Sequence, residues 1–313
     1  MTRAFIFPGQ GSQFIGMGKA LYESSSTARD VFDEVDNALS QHLTKIMFEG
    51  PEQDLNLTEN TQPALMAVSV AVARILEKEV GIDFTDGKTI CAAGHSLGEY
   101  SALTAMGALS LADSACLLKT RGQAMQQAVP VGIGAMAAIL GLDLDDVLCI
   151  AKSASQNEIC ATANDNSTGQ VVVSGHKAAV EKAVALATEK GAKRAIMLPV
   201  SAPFHCPLMA PAADVMKKAL STVEVNKPAV PVVANITAEF ASDPDLIRDL
   251  LVQQVCGMVR WRESVLFMKQ NGVEELIELG AGKVLTGLTR RIDRDLKGSA
   301  IGTPETIELF TKS

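Results

Sequence analysis

Apolar and polar positions change rhythm repeatedly along this chain. Ala4-Phe5-Ile6-Phe7 is a short apolar run closed by Pro8-Gly9-Gln10-Gly11, which predicts a strand followed by a glycine-rich loop. From Ser24 to Gln41 the residues Val31, Phe32, Val35 and Leu39 recur at helical spacing. Pro63 in Thr61-Gln62-Pro63 predicts the first turn of a long helix running to about Glu79, because proline there sacrifices no hydrogen bond. Thr89 to Ala93 then reads as a strand of small apolar residues, and helix resumes after Ser96 to about Ala108. Ser110 followed by Asp113 predicts a cap on a helix ending near Val129.

The stretch from about 130 to 198 has its own order. Strand Ala135–Leu140, helix Asp143–Ser155, strand Ile159–Ala163, strand Val171–Ser174, helix His176–Lys190 and strand Arg194–Val200 follow one another, with the polar run Asn164 to Gly169 as the central turn. That is β-α-β-β-α-β, the ferredoxin-like pattern. It is flanked on both sides by α/β sequence: beyond it come a strand at Pro231–Asn235, helices at Asp245–Cys256 and Glu263–Asn271, a strand at Glu274–Leu279 and a helix through Arg294. We therefore expect an α/β fold with a mostly parallel sheet, divided as a large domain of residues 1–129 and 199–313 and an inserted subdomain of residues 130–198.

Composition narrows the function. The chain has 313 residues, long enough to bury a core without disulfides or metal. Aromatic residues are 4%, too few for a surface that stacks bases or sugars, and the net charge of −8 disfavours nucleic acid and anionic lipid. The six cysteines lack Cys-x-x-Cys spacing, which predicts reduced thiols in a cytoplasmic protein rather than a metal or redox site. The start has no signal-peptide pattern, and the greasy stretch Ala64–Leu76 is interrupted by Ser69 and Arg74, so a membrane span is not expected. Three Asn-x-Ser/Thr triplets, beginning at Asn56, Asn166 and Asn235, are read as chance.

The chemistry concentrates at Gly94-His95-Ser96-Leu97-Gly98, between a predicted strand and a predicted helix. This is the setting of a nucleophile elbow, in which a tight turn lifts the serine hydroxyl above the sheet edge and the helix start favours developing negative charge. The Leu97 N–H is then an oxyanion donor. Of His42, His95, His176 and His205, only His205 lies in a proline-stiffened loop after a strand, Pro199 to Pro207. His95 abuts Ser96, so its ring diverges across the elbow. Arg121 falls on the helix face of Leu117, Leu118, Gly122 and Met125, where a cation needs a partner: a structural acid, a snorkelling path to water, or a substrate carboxylate. The Gly9-x-Gly11 loop matches neither a dinucleotide fingerprint nor a P-loop.

These pieces closely resemble malonyl-CoA:acyl carrier protein transacylases. The resemblance runs in order through Phe7–Gln13, Gly94–Ala102, Arg121-Gly122, Gly134–Ala138, Ser201–His205, Pro231–Asn235 and Gly280–Leu285, nearly the whole chain. One departure is Gly280-Ala281, where the family often has Gly-Pro. The resemblance implies a hydrolase-like α/β domain with an inserted ferredoxin-like subdomain. It implies Ser96 as nucleophile and His205 as general base and acid. Gln254, or the adjacent Gln253, would orient the histidine, the N–H groups of Gln10 and Leu97 would form the oxyanion hole, and Arg121 would bind the malonyl carboxylate. It implies no metal and no cofactor, coenzyme A being part of the thioester substrate. The partners would be malonyl-CoA and an acyl carrier protein; because carrier and chain are both acidic, docking calls for a local positive patch, for which Lys283, Arg290, Arg291, Arg294 and Lys297 are the candidates against a merely solvated charged helix face, and a monomer is expected.

Two other readings compete. A serine esterase or thioesterase would carry an acid between serine and histidine. Asp143, Asp145, Asp146 and Asp165 are there, but each lies in the inserted stretch. A silent carrier-binding subunit would have no use for Ser96 and His205.

Overall fold

A computed structural model describes residues 1–200 and 202–312; Ser201, part of the Ser201–His205 run, lies outside them. Strand β1 (Arg3–Phe7) is buried on both faces: Phe5 and Phe7 join one apolar core, Ala4 and Ile6 another. That two-sided burial is why its sequence is continuously apolar rather than alternating. β1 pairs in parallel with β2 (Thr89–Gly94) on one side and with β9 (Glu275–Leu279) on the other. The sheet also holds β7 (Val232–Val233), β8 (Phe240–Ala241) and β10 (Lys297–Ile301), in the order β10-β9-β1-β2-β7-β8, with only β8 antiparallel to its neighbour.

A second sheet contains β3 (Gly134–Leu140), β4 (Cys160–Ser167), β5 (Gln170–His176) and β6 (Arg194–Met197) in the order β4-β5-β3-β6, all antiparallel. Helices Leu144–Ser155 and Lys177–Glu189 lie between its strands in sequence and share its separate apolar core. The fold is thus α/β with a mostly parallel main sheet and a β-α-β-β-α-β antiparallel unit. No helix among the described residues is long and apolar enough to cross a membrane.

The structure corrects several sequence expectations. The helix expected over Ser24 to Gln41 runs Ser26–Leu39, capped by Ser25 through the Ala28 N–H, and a short helix Lys19–Ser24 that had no expectation precedes it. Pro63 is inside the helix Thr58–Lys78, not at its start. Proline in a helix interior usually costs about 3 kcal/mol; here the helix is packed along most of its length, and tertiary burial overrides that local preference. The expected turn Asn164–Gly169 is mostly strand, because β4 continues to Ser167 and buries Asn164 and Asp165 against the segment after residue 258. The helix after β9 ends at Ile292, so Arg294 follows it and Lys297 opens β10. A helix at Ala210–Leu220 and a C-terminal one at Pro304–Thr311 had no expectation.

Candidate active site

The elbow is shaped by contacts that only glycine permits. A Cβ on Gly94 would fall 1.8 Å from the Gly98 carbonyl oxygen, and one on Gly98 would fall 2.3 Å from the Phe7 oxygen. β2 therefore ends hard against the start of the helix Gly98–Ala105, and Ser96 between them adopts φ 53°. His205 is also left-handed, at φ 57°. Such backbone costs roughly 1 to 3 kcal/mol per residue and persists only where surroundings impose it. For Ser96 the clamp is Asn235, after β7. Its Oδ1 accepts the Ser96 N–H at 2.7 Å and its Nδ2 donates to the Gly94 carbonyl at 2.7 Å.

Ser96 Oγ lies 2.8 Å from His205 Nε2. On the far side of the ring, Nδ1 faces two backbone carbonyls, Gln254 at 2.9 Å and Gly257 at 3.1 Å. Two acceptors there require the proton on Nδ1, which leaves Nε2 bare to accept from the serine hydroxyl. Burial and the nearby Arg121 charge push the His205 pKa down to about 3, so the ring is neutral at ordinary pH. Among the described residues the partners of Nδ1 are main-chain oxygens, not a carboxylate.

Arg121 is 2% exposed and lies across the serine. Nη2 donates to Gln254 Oε1 at 2.8 Å and to Ser96 Oγ at 3.2 Å, and Nη1 donates to Gln62 Oε1 at 2.8 Å. The guanidinium carbon is 5.9 Å from the Tyr100 ring centre. None of the ion pairs among the described residues includes Arg121, and its Nε has no partner. The hydrogen-bond partners of this desolvated cation are two neutral amides and the Ser96 hydroxyl, with the Glu99 carboxyl acting on it through space.

Gln254 is 1% exposed and Gln253 points to solvent, so the side chain next to the reacting groups is that of Gln254. The Gln254 amide nitrogen donates to Glu99 Oε2 at 2.8 Å and to the Ser96 carbonyl at 3.1 Å. The N–H groups of Gln10 and Leu97 donate to no protein acceptor among the described residues. Gln10 is anchored through Oε1 to the Thr58 hydroxyl at 2.8 Å, and Gln62 Nε2 reaches the same hydroxyl at 3.2 Å. The remaining histidines lie elsewhere: His95 bonds Asn166 and packs on Trp261, His176 accepts the Ile159 N–H, and His42 precedes a short helix.

Glu99, Asn235 and Gln62 had no role in the sequence reading. Glu99 and Asn235 stand inside runs that carried the family resemblance, but nothing local marks them. The available signal for Asn235 was its place at the carboxyl end of a main-sheet strand, where α/β folds collect functional groups.

The basic residues expected to gather near the C-terminus are exposed but do not share one place. Lys283 lies just beyond the carboxyl end of β9. Arg290, Arg294 and Lys297 line a groove of about 790 Å³ with Glu275, the first residue of β9, at the opposite end of the sheet. Arg291 donates to Gln170 in the small sheet.

A serine hydrogen-bonded to a neutral histidine at the carboxyl edge of a parallel sheet, beside a glycine-framed turn, defines a serine-nucleophile α/β enzyme. Comparison with known proteins is specific within that class. Residues 4–296 match the acyl transferase domain family. The malonyl CoA-acyl carrier protein transacylase of Bacillus subtilis is 47% identical over 98% of this chain and 95% of its own. An acyl-carrier-protein S-malonyltransferase structure from Bartonella henselae is 56% identical with a TM-score of 0.97, covering 100% of this chain and 99% of that one. A malonyl-transacylase solved in complex with its type II PKS acyl-carrier protein is 41% identical with a TM-score of 0.96, covering 100% and 99%. The chain belongs to the malonyl CoA-acyl carrier protein transacylase family.

Proposed function

We propose that this enzyme moves the malonyl group from malonyl-CoA to the phosphopantetheine thiol of an acyl carrier protein in fatty-acid biosynthesis, through an ester on Ser96. One observation carries the choice of acyl group: the buried Arg121 guanidinium, in no salt bridge among the described residues, 3.2 Å from Ser96 Oγ. Malonyl differs from acetyl by one carboxylate, and a planar cation in a dry pocket favours the donor that brings one.

In the first half-reaction Nε2 of His205 takes the Ser96 proton as Oγ attacks the thioester carbonyl. The oxyanion of the tetrahedral intermediate accepts from the N–H groups of Gln10 and Leu97. The imidazolium, steadied through Nδ1 by the Gln254 and Gly257 carbonyls, gives its proton to the coenzyme A sulfur as the C–S bond breaks. In the second half-reaction His205 takes the proton of the carrier thiol, which attacks the malonyl ester, and returns it to Ser96 Oγ. This chemistry calls for no metal or redox cofactor.

Residues 130–198 form an inserted subdomain in this reading, supported by their separate sheet and core, with 1–129 and 199–313 as the catalytic domain. The carrier docks at the Lys283 end of this basic surface, beside the carboxyl edge of the sheet that carries Ser96, rather than at Arg290, Arg291 and Arg294, which do not form one patch with it. The relative solved with its carrier supports such a partner, and the exposure of Lys283 supports the place. The enzyme works as a cytoplasmic monomer. Intact-protein mass spectrometry after mixing with malonyl-CoA and acetyl-CoA tests the central reading: a malonyl adduct on Ser96 is expected, and hydrolysis without transfer to a carrier thiol would mark a thioesterase instead.

A further inference from the structure

Glu99 lies one residue into the helix that follows the elbow and is 3% exposed; among the described residues it forms no salt bridge and no hydrogen bond to the Ser96 hydroxyl or His205, though it feels the Arg121 charge through space. Its Oε2 accepts from Gln254 Nε2 at 2.8 Å and from the Asn235 N–H at 3.0 Å. Gln254 in turn presents Oε1 to Arg121 Nη2. A glutamine amide carries an acceptor on one side and donors on the other, while arginine has donors only. If the Gln254 amide flipped, its N–H groups would face the guanidinium and its oxygen would face Glu99, leaving buried donors and acceptors unmatched.

We propose that Glu99 is a positioning residue: its carboxyl oxygen fixes the amide of Gln254 with Oε1 toward Arg121, and so aims the guanidinium that selects a carboxylate-bearing acyl group. This deepens the malonyl reading and rests on it. The acceptor geometry, not the net charge, does the work. Both N–H donors converge on Oε2, so a proton on the other oxygen leaves the arrangement intact. Burial raises the Glu99 pKa to about 7, consistent with a group that serves in either protonation state.

The test is single-turnover acylation of Ser96 by malonyl-CoA and by acetyl-CoA in the full chain, read as a ratio for wild type, Glu99→Ala, Glu99→Asp and Glu99→Gln. Removing the acceptor should lower the malonyl-to-acetyl ratio about tenfold, the scale of one hydrogen bond to a charged group. Glu99→Gln can place its amide oxygen where Oε2 was and should stay within about threefold of wild type. Thermal unfolding checks each variant; if Glu99→Ala does not unfold cooperatively, Glu99→Asp, whose shorter arm withdraws the acceptor, replaces it. A loss shared equally by both donors, leaving the ratio unchanged, would overturn the proposal and make Glu99 structural. A ratio in Glu99→Gln as low as in Glu99→Ala would also overturn it, since charge would then be the cause. Wild type run alongside reports separately on the malonyl reading, because its failure to take malonyl appears without any substitution.

Discussion

Arg121 Nη2 stands 3.2 Å from Ser96 Oγ, so the cation and the nucleophile already touch before any acyl group arrives. In the proposed acyl-enzyme the free carboxylate of a malonyl ester on Ser96 would meet that guanidinium and offer the charge that the neutral amides of Gln62 and Gln254 do not. Truncating one partner of such a buried charged pair costs roughly 2 to 5 kcal/mol. Arg121→Ala should therefore lower kcat/KM for malonyl-CoA by a factor of tens to thousands, while acetyl-CoA use stays level or rises. Arg121→Lys should recover malonyl use only in part, because one ammonium cannot reproduce two parallel N–H donors. Equal loss with both donors would make Arg121 a structural cation.

Ser96→Ala should form no acyl-enzyme in an intact-mass experiment. His205→Ala should acylate roughly a hundred to ten thousand times more slowly, the usual contribution of a positioned base. A malonyl adduct on Ser96→Ala would place the nucleophile elsewhere.

The acid limb of the acylation profile should lie well below pH 6.5. Burial first, then Arg121, and to a smaller degree His95, depress the His205 pKa to about 3, against the hydrogen bonds to the Gln254 and Gly257 carbonyls. With acetyl-CoA as donor, Arg121→Ala should move that limb upward by removing one of the opposing charges. The same shift makes stability fall on acidification. Below about 6.5 the unfolded chain takes a proton on this histidine and the folded chain does not, so stability present above that pH is lost toward pH 3. An acid limb at 6.5 in the wild type would contradict the depressed value.

Glu99 titrates with the opposite sense. Desolvation by burial raises its carboxyl from 4.5 to about 7, against the lowering effects of the Asn235 and Gln254 hydrogen bonds and the Arg121 charge. The folded protein keeps this proton after the unfolded chain has lost it, so its contribution is full below 4.5 and is lost as pH rises through 7. Glu99→Gln should gain Tm relative to wild type across that interval. A difference that does not change with pH would mean Glu99 ionises normally.

Carrier transfer should separate the two ends of the basic surface. Lys283 is beside the carboxyl edge of the sheet, where Ser96 also lies, whereas Arg290 is a helix length away. Lys283→Glu should slow transfer to carrier more than Arg290→Glu with Arg291→Glu, and both should spare acylation by malonyl-CoA. Salt should weaken carrier transfer by the wild type, since exposed charges are screened beyond about 8 Å at physiological ionic strength. A defect in both half-reactions would indicate damage to the fold.

The sequence by itself determined most of the strands, the β-α-β-β-α-β order and the elbow, because these depend on local periodicity and on glycines clustered in one turn, while β8 and β10 carried no such signal. It also marked Arg121, since a cation on an apolar helical face is legible within one helix. Tertiary structure alone decided what surrounds those residues. Asn235 bonds the Ser96 N–H across 139 positions and Glu99 meets Gln254 across 155, contacts that no local pattern encodes. The same holds for the orienting groups of His205, the main-chain carbonyls of Gln254 and Gly257: every residue has a carbonyl, so these positions leave no mark of that role in the sequence. Pro63 and the long β4 make the point for secondary structure, where packing at the site outweighed the residues' own preference. Folding brought distant polar groups into one dry space, and only there does each atom's need for a partner select the others.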